Sequence, residues 1–352
     1  LQYFEHGGNP SGHPGIRYDF SQNVNPLGMP EPVREAVCRS AGEAQFYPDP
    51  ECTALRALLA ERKGISPENI LCGNGASDLI FRVCACFRPK AALIPEPNFS
   101  EYERSVRVFG GRVTGYRMKK KNGFLPDEDI LPMMTPETDL LFLAHPNNPT
   151  GRLIPEPLLK KILERSESLG IPVLIDECFL DFTDGSSALP LLSAFPRLMI
   201  LNAFTKLYGM AGIRLGYLAG ERKLLEKVSE FGPPWNVSCT AQKSGAAALL
   251  CEPGWTERTK TVTREERKFL SEALAGLGIT VYPSDADFLL AESSIPLFAP
   301  LAEKGILVRD CENFPGLDRH FIRIGIKTHD RNVHLLSAVR SILEEAASAK
   351  AY

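Results

Sequence analysis

The chain has 352 residues, 44% apolar and 24% charged, which is the balance of an ordinary globular protein with a large core. Its formal net charge of -3 gives no electrostatic basis for binding nucleic acid or an anionic membrane, and no stretch is apolar enough to span a bilayer. Nine cysteines without a Cys-x-x-Cys, and six histidines without zinc-ligand spacing, point to reduced thiols, a cytoplasmic setting and no metal.

In chain order, the Gly- and Pro-rich start reads as an ordered but irregular arm, residues 1–35. Gly73-Asn74-Gly75-Ala76-Ser77-Asp78 precedes an apolar run and reads as a glycine loop opening a helix. Short apolar segments at 91–95, 139–144, 171–176, 198–201 and 215–218 read as buried strands, with helical spacing at 99–109 and 158–169 between them. Lys119-Lys120-Lys121 before Asn122-Gly123 reads as a solvated hairpin tip. Alternation of strand and helix predicts an α/β fold with a mostly parallel central sheet and helices on both faces, over residues 36–250. From residue 251 the pattern becomes α+β. A charged helix at 258–277 is followed by strands at 280–282 and 288–291, a helix at 297–304, strands at 306–309 and 320–326, and a terminal helix. This predicts a smaller C-terminal domain, 251–352, in which Arg309 and Arg323 sit in or beside strands and point at a cleft.

Four features carry chemistry. Lys206 stands among small and apolar residues eight positions before Arg214, surroundings that lower an amine's pKa and suit a nucleophilic lysine. Asp176 ends a strongly apolar strand, where a carboxylate needs a cationic partner unless it caps the next helix. Pro146-Asn147-Asn148-Pro149-Thr150-Gly151 follows another such strand, either as a plain turn or with an asparagine fixed to donate to a ligand oxygen. The glycine loop at 73–77 offers backbone N–H groups to a phosphate, with Arg214 as counter-charge. Strand carboxyl ends are where open α/β sheets bind ligands.

Lys206 with Arg214, Asp176, Asn148 in its Asn-Asn-Pro-Thr-Gly run, and Gly75-Ala76-Ser77 resemble, in order and spacing, the fold type I pyridoxal-phosphate enzymes. Nearly the whole chain resembles the branch that contains histidinol-phosphate aminotransferases. Three segments are similar to the L-threonine-O-3-phosphate decarboxylases of cobalamin biosynthesis: His6-Gly7-Gly8-Asn9, the run from Asp19 to Pro30, and that from Cys311 to Asp318. The resemblance implies pyridoxal 5'-phosphate as cofactor, Lys206 as the Schiff-base lysine and Asp176 as partner of the ring nitrogen. It implies that Asn148 bonds the phenolic oxygen, Phe99 stacks on the ring, and Gly75, Ala76, Ser77, Thr205 and Arg214 surround the phosphate. Tyr47 matches a tyrosine that reaches the neighbouring active site of a homodimer. Arg323 matches a substrate-carboxylate arginine, Arg309 is a candidate for the substrate's anionic groups, and the arm with His6, Gly7, Asn9, Asn25 and Gly28 would close over the substrate.

The sequence departs from the aminotransferase pattern at Phe179, usually a tyrosine, and at Ala203, commonly a hydroxyl residue. Phe179 counts against transamination. The implied activity is decarboxylation of L-threonine O-3-phosphate, a small amino-acid phosphate, to (R)-1-amino-2-propanol O-2-phosphate. The alternatives are a histidinol-phosphate-type aminotransferase and a non-catalytic pyridoxal-phosphate-binding regulatory domain.

Overall fold

Consecutive apolar residues bounded by Gly, Pro or charge make strands that are covered on both faces. The computed structural model describes residues 6–9, 12–251 and 254–350. After β1 (Tyr18–Asp19), seven strands form the main sheet: β2 (Ile70–Gly73), β3 (Ala91–Glu96), β4 (Arg112–Arg117), β5 (Leu140–Ala144), β6 (Val173–Asp176), β7 (Leu198–Ala203) and β8 (Gly216–Gly220). Their spatial order is β2-β8-β7-β6-β5-β3-β4. Neighbours pair in parallel from β4 through β7, and β8 runs antiparallel to both β7 and β2. Successive side chains alternate between two separate cores. Leu141, Leu143, Val173, Ile175 and Ile200 pack on one face, and Leu140, Phe142, Leu174, Met199 and Leu201 on the other. Each face therefore needs its own helical cover.

A second sheet, wholly antiparallel, has the order β12-β13-β10-β9, from β9 (Thr280–Val281), β10 (Phe288–Glu292), β12 (Arg309–Asp310) and β13 (Phe321–Gly325). The long helices Gly254–Gly276 and His329–Lys350 flank it in sequence. The continuous strand expected at 306–309 is split. β11 (Ile306–Leu307) pairs in parallel with β1 of the arm, whereas Arg309–Asp310 pairs with β13. One apolar run thus serves two sheets, which also anchors the N-terminal segment.

The hairpin tip expected at Lys119-Lys120-Lys121 does not form. β4 is an edge strand paired with β3, which precedes it, and among the described residues no strand after 119–123 returns to pair with it. The segment is instead a short 3-10 turn, Lys120–Asn122, held by charge. Lys119 Nζ reaches Asp127 at 3.0 Å and also Asp129, and Lys120 Nζ reaches Glu292 at 2.7 Å. Among the described residues no helix is long and apolar enough to cross a membrane, and no His, Cys, Asp and Glu group is placed to hold a metal ion.

Candidate active site

The parallel strands β5, β6 and β7 end at one edge of the sheet, and a cavity of about 530 Å³ opens there. Ala144, Asp176 and Ala203, the last residues of those three strands, all line it. Two arginines enter from the second sheet. Arg309 and Arg323 are register partners on β12 and β13, so both side chains stand on the same face. Both line the cavity.

One end of the cavity is built for an anion. Helix Ala76–Phe87 begins there, and its first N–H groups have no partner within the helix. Gly75 precedes it at φ +82, and a Cβ at that position would lie 2.6 Å from Arg214 Nη2. Glycine is therefore required both by conformation and by the closeness of the guanidinium. Arg214 itself sits at φ +63, with Nη1 donating to the Ala211 carbonyl at 3.0 Å. Ala76, Ser77, Thr205 and Arg214 all line the cavity, bringing N–H groups, two hydroxyls and a cation to one place. Such a cradle fits a phosphate ester.

Asp176 is 8% exposed. Its Oδ1 accepts from the Cys178 N–H at 2.9 Å and its Oδ2 from the Tyr102 hydroxyl at 2.7 Å. Burial, then the Asp176 charge, push the Tyr102 phenol well above its usual range, so it stays a donor. The Tyr102 ring stacks on Phe142 at 5.2 Å and meets Phe99 edge-on at 5.6 Å. Phe99 and Asp176 both line the cavity, bringing a flat apolar ring and a carboxylate to it. Tyr102 has no signal of its own in the sequence; it lies in the first turn of helix Ser100–Val108, which Phe99 precedes in extended conformation.

Lys206 lines the cavity beyond β7, with Nζ 5.1 Å from the centroid of Phe179. Burial lowers its pKa, as an amine nucleophile requires, while the charges of Asp287 and then Cys178 oppose the shift. Phe179 packs its edge on Phe288 at 5.1 Å, so the position usually taken by tyrosine is a hydrocarbon support. Asn148 Oδ1 accepts from Arg323 Nη1 at 2.5 Å, and Arg323 Nη2 donates to the Ser21 carbonyl at 2.7 Å. Burial brings the Arg323 guanidinium down to about 10. Asn147 is structural: its Nδ2 donates to the Pro97 carbonyl at 3.1 Å and to Thr150 at 3.0 Å. Arg309 lies over Phe314 at 4.9 Å and donates to Asn313 Oδ1 at 2.8 Å.

The arm supplies His6 and Gly7 to the cavity wall. His6 Nε2 lies 2.8 Å from Glu101 Oε1, and a Cβ on Gly7 would collide with the Ser21 carbonyl. Asn9, Asn25 and Gly28, expected over the substrate, do not line the cavity. Asn9 turns its carbonyl to the Gly12 N–H at 3.3 Å. Asn25 is buried beneath the lysine: its N–H donates to the Lys206 carbonyl at 3.1 Å, and its Nδ2 to Leu207 O at 2.6 Å and Thr259 at 2.8 Å. Gly28 continues this turn and abuts Gly209. The polar groups of Asn25, with the turn at Gly28, shape the lysine loop. Tyr47 is 82% exposed, with its ring 4.8 Å from Trp235, outside this cavity. Buried Asp287 and Lys327, close in charge to Lys206, had no signal in the sequence beyond a charge at each end of an apolar run.

A model of the aminotransferase class I and II family matches residues 17–339. The chain is 36% identical over 337 residues to a threonine-phosphate decarboxylase of Salmonella typhimurium, covering 94% of this chain and 92% of that protein. It is 33% identical to a histidinol-phosphate aminotransferase of Methanosarcina mazei, covering 91% and 86%. The crystal structure of the histidinol-phosphate aminotransferase from Clostridium acetobutylicum superposes with a TM-score of 0.87 at 28% identity, covering 93% of this chain and 99% of that one. The chain belongs to the aminotransferase class I and II family, and is an enzyme whose cofactor is pyridoxal phosphate.

Proposed function

We propose that this enzyme decarboxylates L-threonine O-3-phosphate, releasing carbon dioxide and (R)-1-amino-2-propanol O-2-phosphate. The observation that carries the reading is the pair Arg309 and Arg323, in register on adjacent strands and facing one cavity. A substrate with both a carboxylate and a phosphate needs two cationic anchors beyond the one that holds the cofactor's phosphate. The Salmonella relative, named for this reaction, supports the choice.

In this reading Ala76, Ser77, Thr205, Arg214 and the turn at Gly75 hold the cofactor phosphate. Phe99 covers the ring, Asp176 pairs with its nitrogen and Asn148 donates to its phenolic oxygen. Bound pyridoxal phosphate supplies an electron sink conjugated to the substrate's Cα. Arg323 holds the substrate carboxylate, while Arg309 and His6 face its phosphate. Two fixed anchors decide which bond at Cα is presented for breaking, which is catalysis by orientation. Lys206, with its amine freed, returns a proton to Cα. Tyr47, exposed beside Trp235, would reach the neighbouring site if two copies pair as a homodimer.

The second reading is a histidinol-phosphate-type aminotransferase, favoured by the Methanosarcina relative at 33% identity. Incubation with L-threonine phosphate in the absence of any keto acid separates the two. A decarboxylase releases carbon dioxide over many turnovers. No release there, together with amino transfer from histidinol phosphate to 2-oxoglutarate, would overturn the proposal.

A further inference from the structure

Asp287 immediately precedes β10 and is 1% exposed, yet neither carboxylate oxygen meets a hydrogen-bond donor among the described residues. Its backbone is fixed, the carbonyl accepting from the Ile326 N–H at 2.8 Å. A buried carboxylate without hydrogen bonds is strongly disfavoured unless positive charge offsets it. Three cations do so, Lys206 first, then Lys327 and Arg323. Two of them already have acceptors. Arg323 donates to Asn148 and Ser21, and Lys327 Nζ to the Gln22 carbonyl at 2.8 Å. The Lys206 amine makes no hydrogen bond to a described residue; Nζ rests over Phe179. Phe288, the neighbour of Asp287 in sequence, packs edge-on against that same ring.

We propose that Asp287 is the buried counter-charge of Lys206, holding the amine as an ammonium whenever it is not joined to the cofactor. Asp287 touches no reacting atom and acts through the lysine, as a positioning residue. The proposal rests on the reading that Lys206 is the group that protonates Cα. Carbon dioxide departs without its bonding electron pair, that pair is taken up at Cα, and the proton leaves Nζ to form the new C–H bond. A lysine already carrying its proton suits that step; a transaminating lysine must first accept one.

Every charged group facing the pair bears on its titration. Lys206 is pushed down by burial and by Arg323, and is opposed by Asp287, Cys178 and Asp176. Asp287 is pushed up by burial to about 6, and pulled down by Lys206, Lys327 and Arg323. Lys327 and Arg267 feel Asp287 as well.

The test is competitive labelling of Lys206 with acetic anhydride across pH, read by peptide mass spectrometry, on the full chain freed of cofactor. Asp287→Asn should raise labelling at pH 7 about tenfold, the effect of lowering an amine pKa by about one unit. In the holoenzyme, the pH midpoint of the visible absorbance change should move down by a similar amount. Should Asp287→Asn not fold, Asp287→Asn with Lys327→Gln removes one buried charge of each sign and is read in the same way. A labelling change of less than threefold overturns the proposal. Labelling needs no substrate, so an enzyme that labels as expected but releases no carbon dioxide from L-threonine phosphate refutes the proposed reaction and leaves the lysine's charge assignment standing.

Discussion

Tyr102→Phe isolates one bond at the floor of the site. The phenylalanine ring keeps the stack on Phe142 and the edge contact with Phe99, so only the hydroxyl that donates to Asp176 Oδ2 at 2.7 Å is lost. Asp176 then retains the Cys178 N–H on its other oxygen. A buried hydrogen bond to a charged group contributes about 1.5–3 kcal/mol, and a buried acceptor left bare also bears its desolvation cost. With an unfolding entropy of about 2.1 cal/mol/K per residue over 352 residues, that loss lowers the melting temperature of the cofactor-free chain by about 2–4 °C. With cofactor bound, the proposed ring-nitrogen partner gives Asp176 a new donor. The variant should then lose less, and the cofactor should raise its melting temperature by more than it raises that of the wild type. Differential scanning calorimetry of both proteins, with and without pyridoxal phosphate, reads all four values. Equal losses in the two states would refute the placement of Asp176 against the ring. No loss in the cofactor-free chain would refute the strength assigned to the Tyr102 bond.

Gly75→Ala forces a Cβ into the left-handed region, at about 1–2 kcal/mol, and to within 2.6 Å of Arg214 Nη2. Titration with pyridoxal phosphate should give a dissociation constant at least tenfold higher, and unchanged affinity would contradict the phosphate cradle. Arg323→Lys cannot reach both Asn148 and the Ser21 carbonyl, and loses the planar fork for a carboxylate. The expected result is a KM for L-threonine phosphate raised roughly 10–100-fold, the equivalent of one charge-assisted bond, with a smaller change in cofactor affinity. Glu177 is buried and accepts from Ser187 and the Ala188 N–H, and burial raises its carboxyl from 4.5 to about 7. The folded state therefore holds the proton more tightly than the unfolded chain. Stability is fully present below about 4.5 and falls by about 3 kcal/mol as pH rises to about 7 and beyond. Glu177→Gln should flatten that part of the pH–stability curve, as followed by thermal melts between pH 4.5 and 8.

What was legible in the sequence was local. Fully apolar runs such as those of β5, β6 and β7 are legible because a strand buried on both faces can contain nothing else. Asp176 and Lys206 stood out because a charge at the end of such a run demands a reason. Gly75 before Ala76 and Ser77 marked a helix start, which its positive φ and the nearby guanidinium explain. Residues whose role depends on a partner far along the chain stayed hidden. Asn25 belonged, by similarity, to an arm over the substrate; the fold spends its amide on Leu207 and Thr259, from segments 182 and 234 residues away. The run at 306–309 looked like one strand, because nothing local says that its two ends pair with strands of different sheets.

The sequence by itself determined the strand and helix alphabet, the lysine and aspartate set among apolar residues, and the glycine turn that opens a helix. These follow from burial, backbone conformation and charge within a few residues. Only the tertiary structure decided that Tyr102 clamps Asp176, that Arg309 and Arg323 stand side by side, and that Asp287 lies within the field of Lys206. Those relations join segments brought together by sheet order and register. The free energy of such a contact belongs to a pair, and neither member carries it alone.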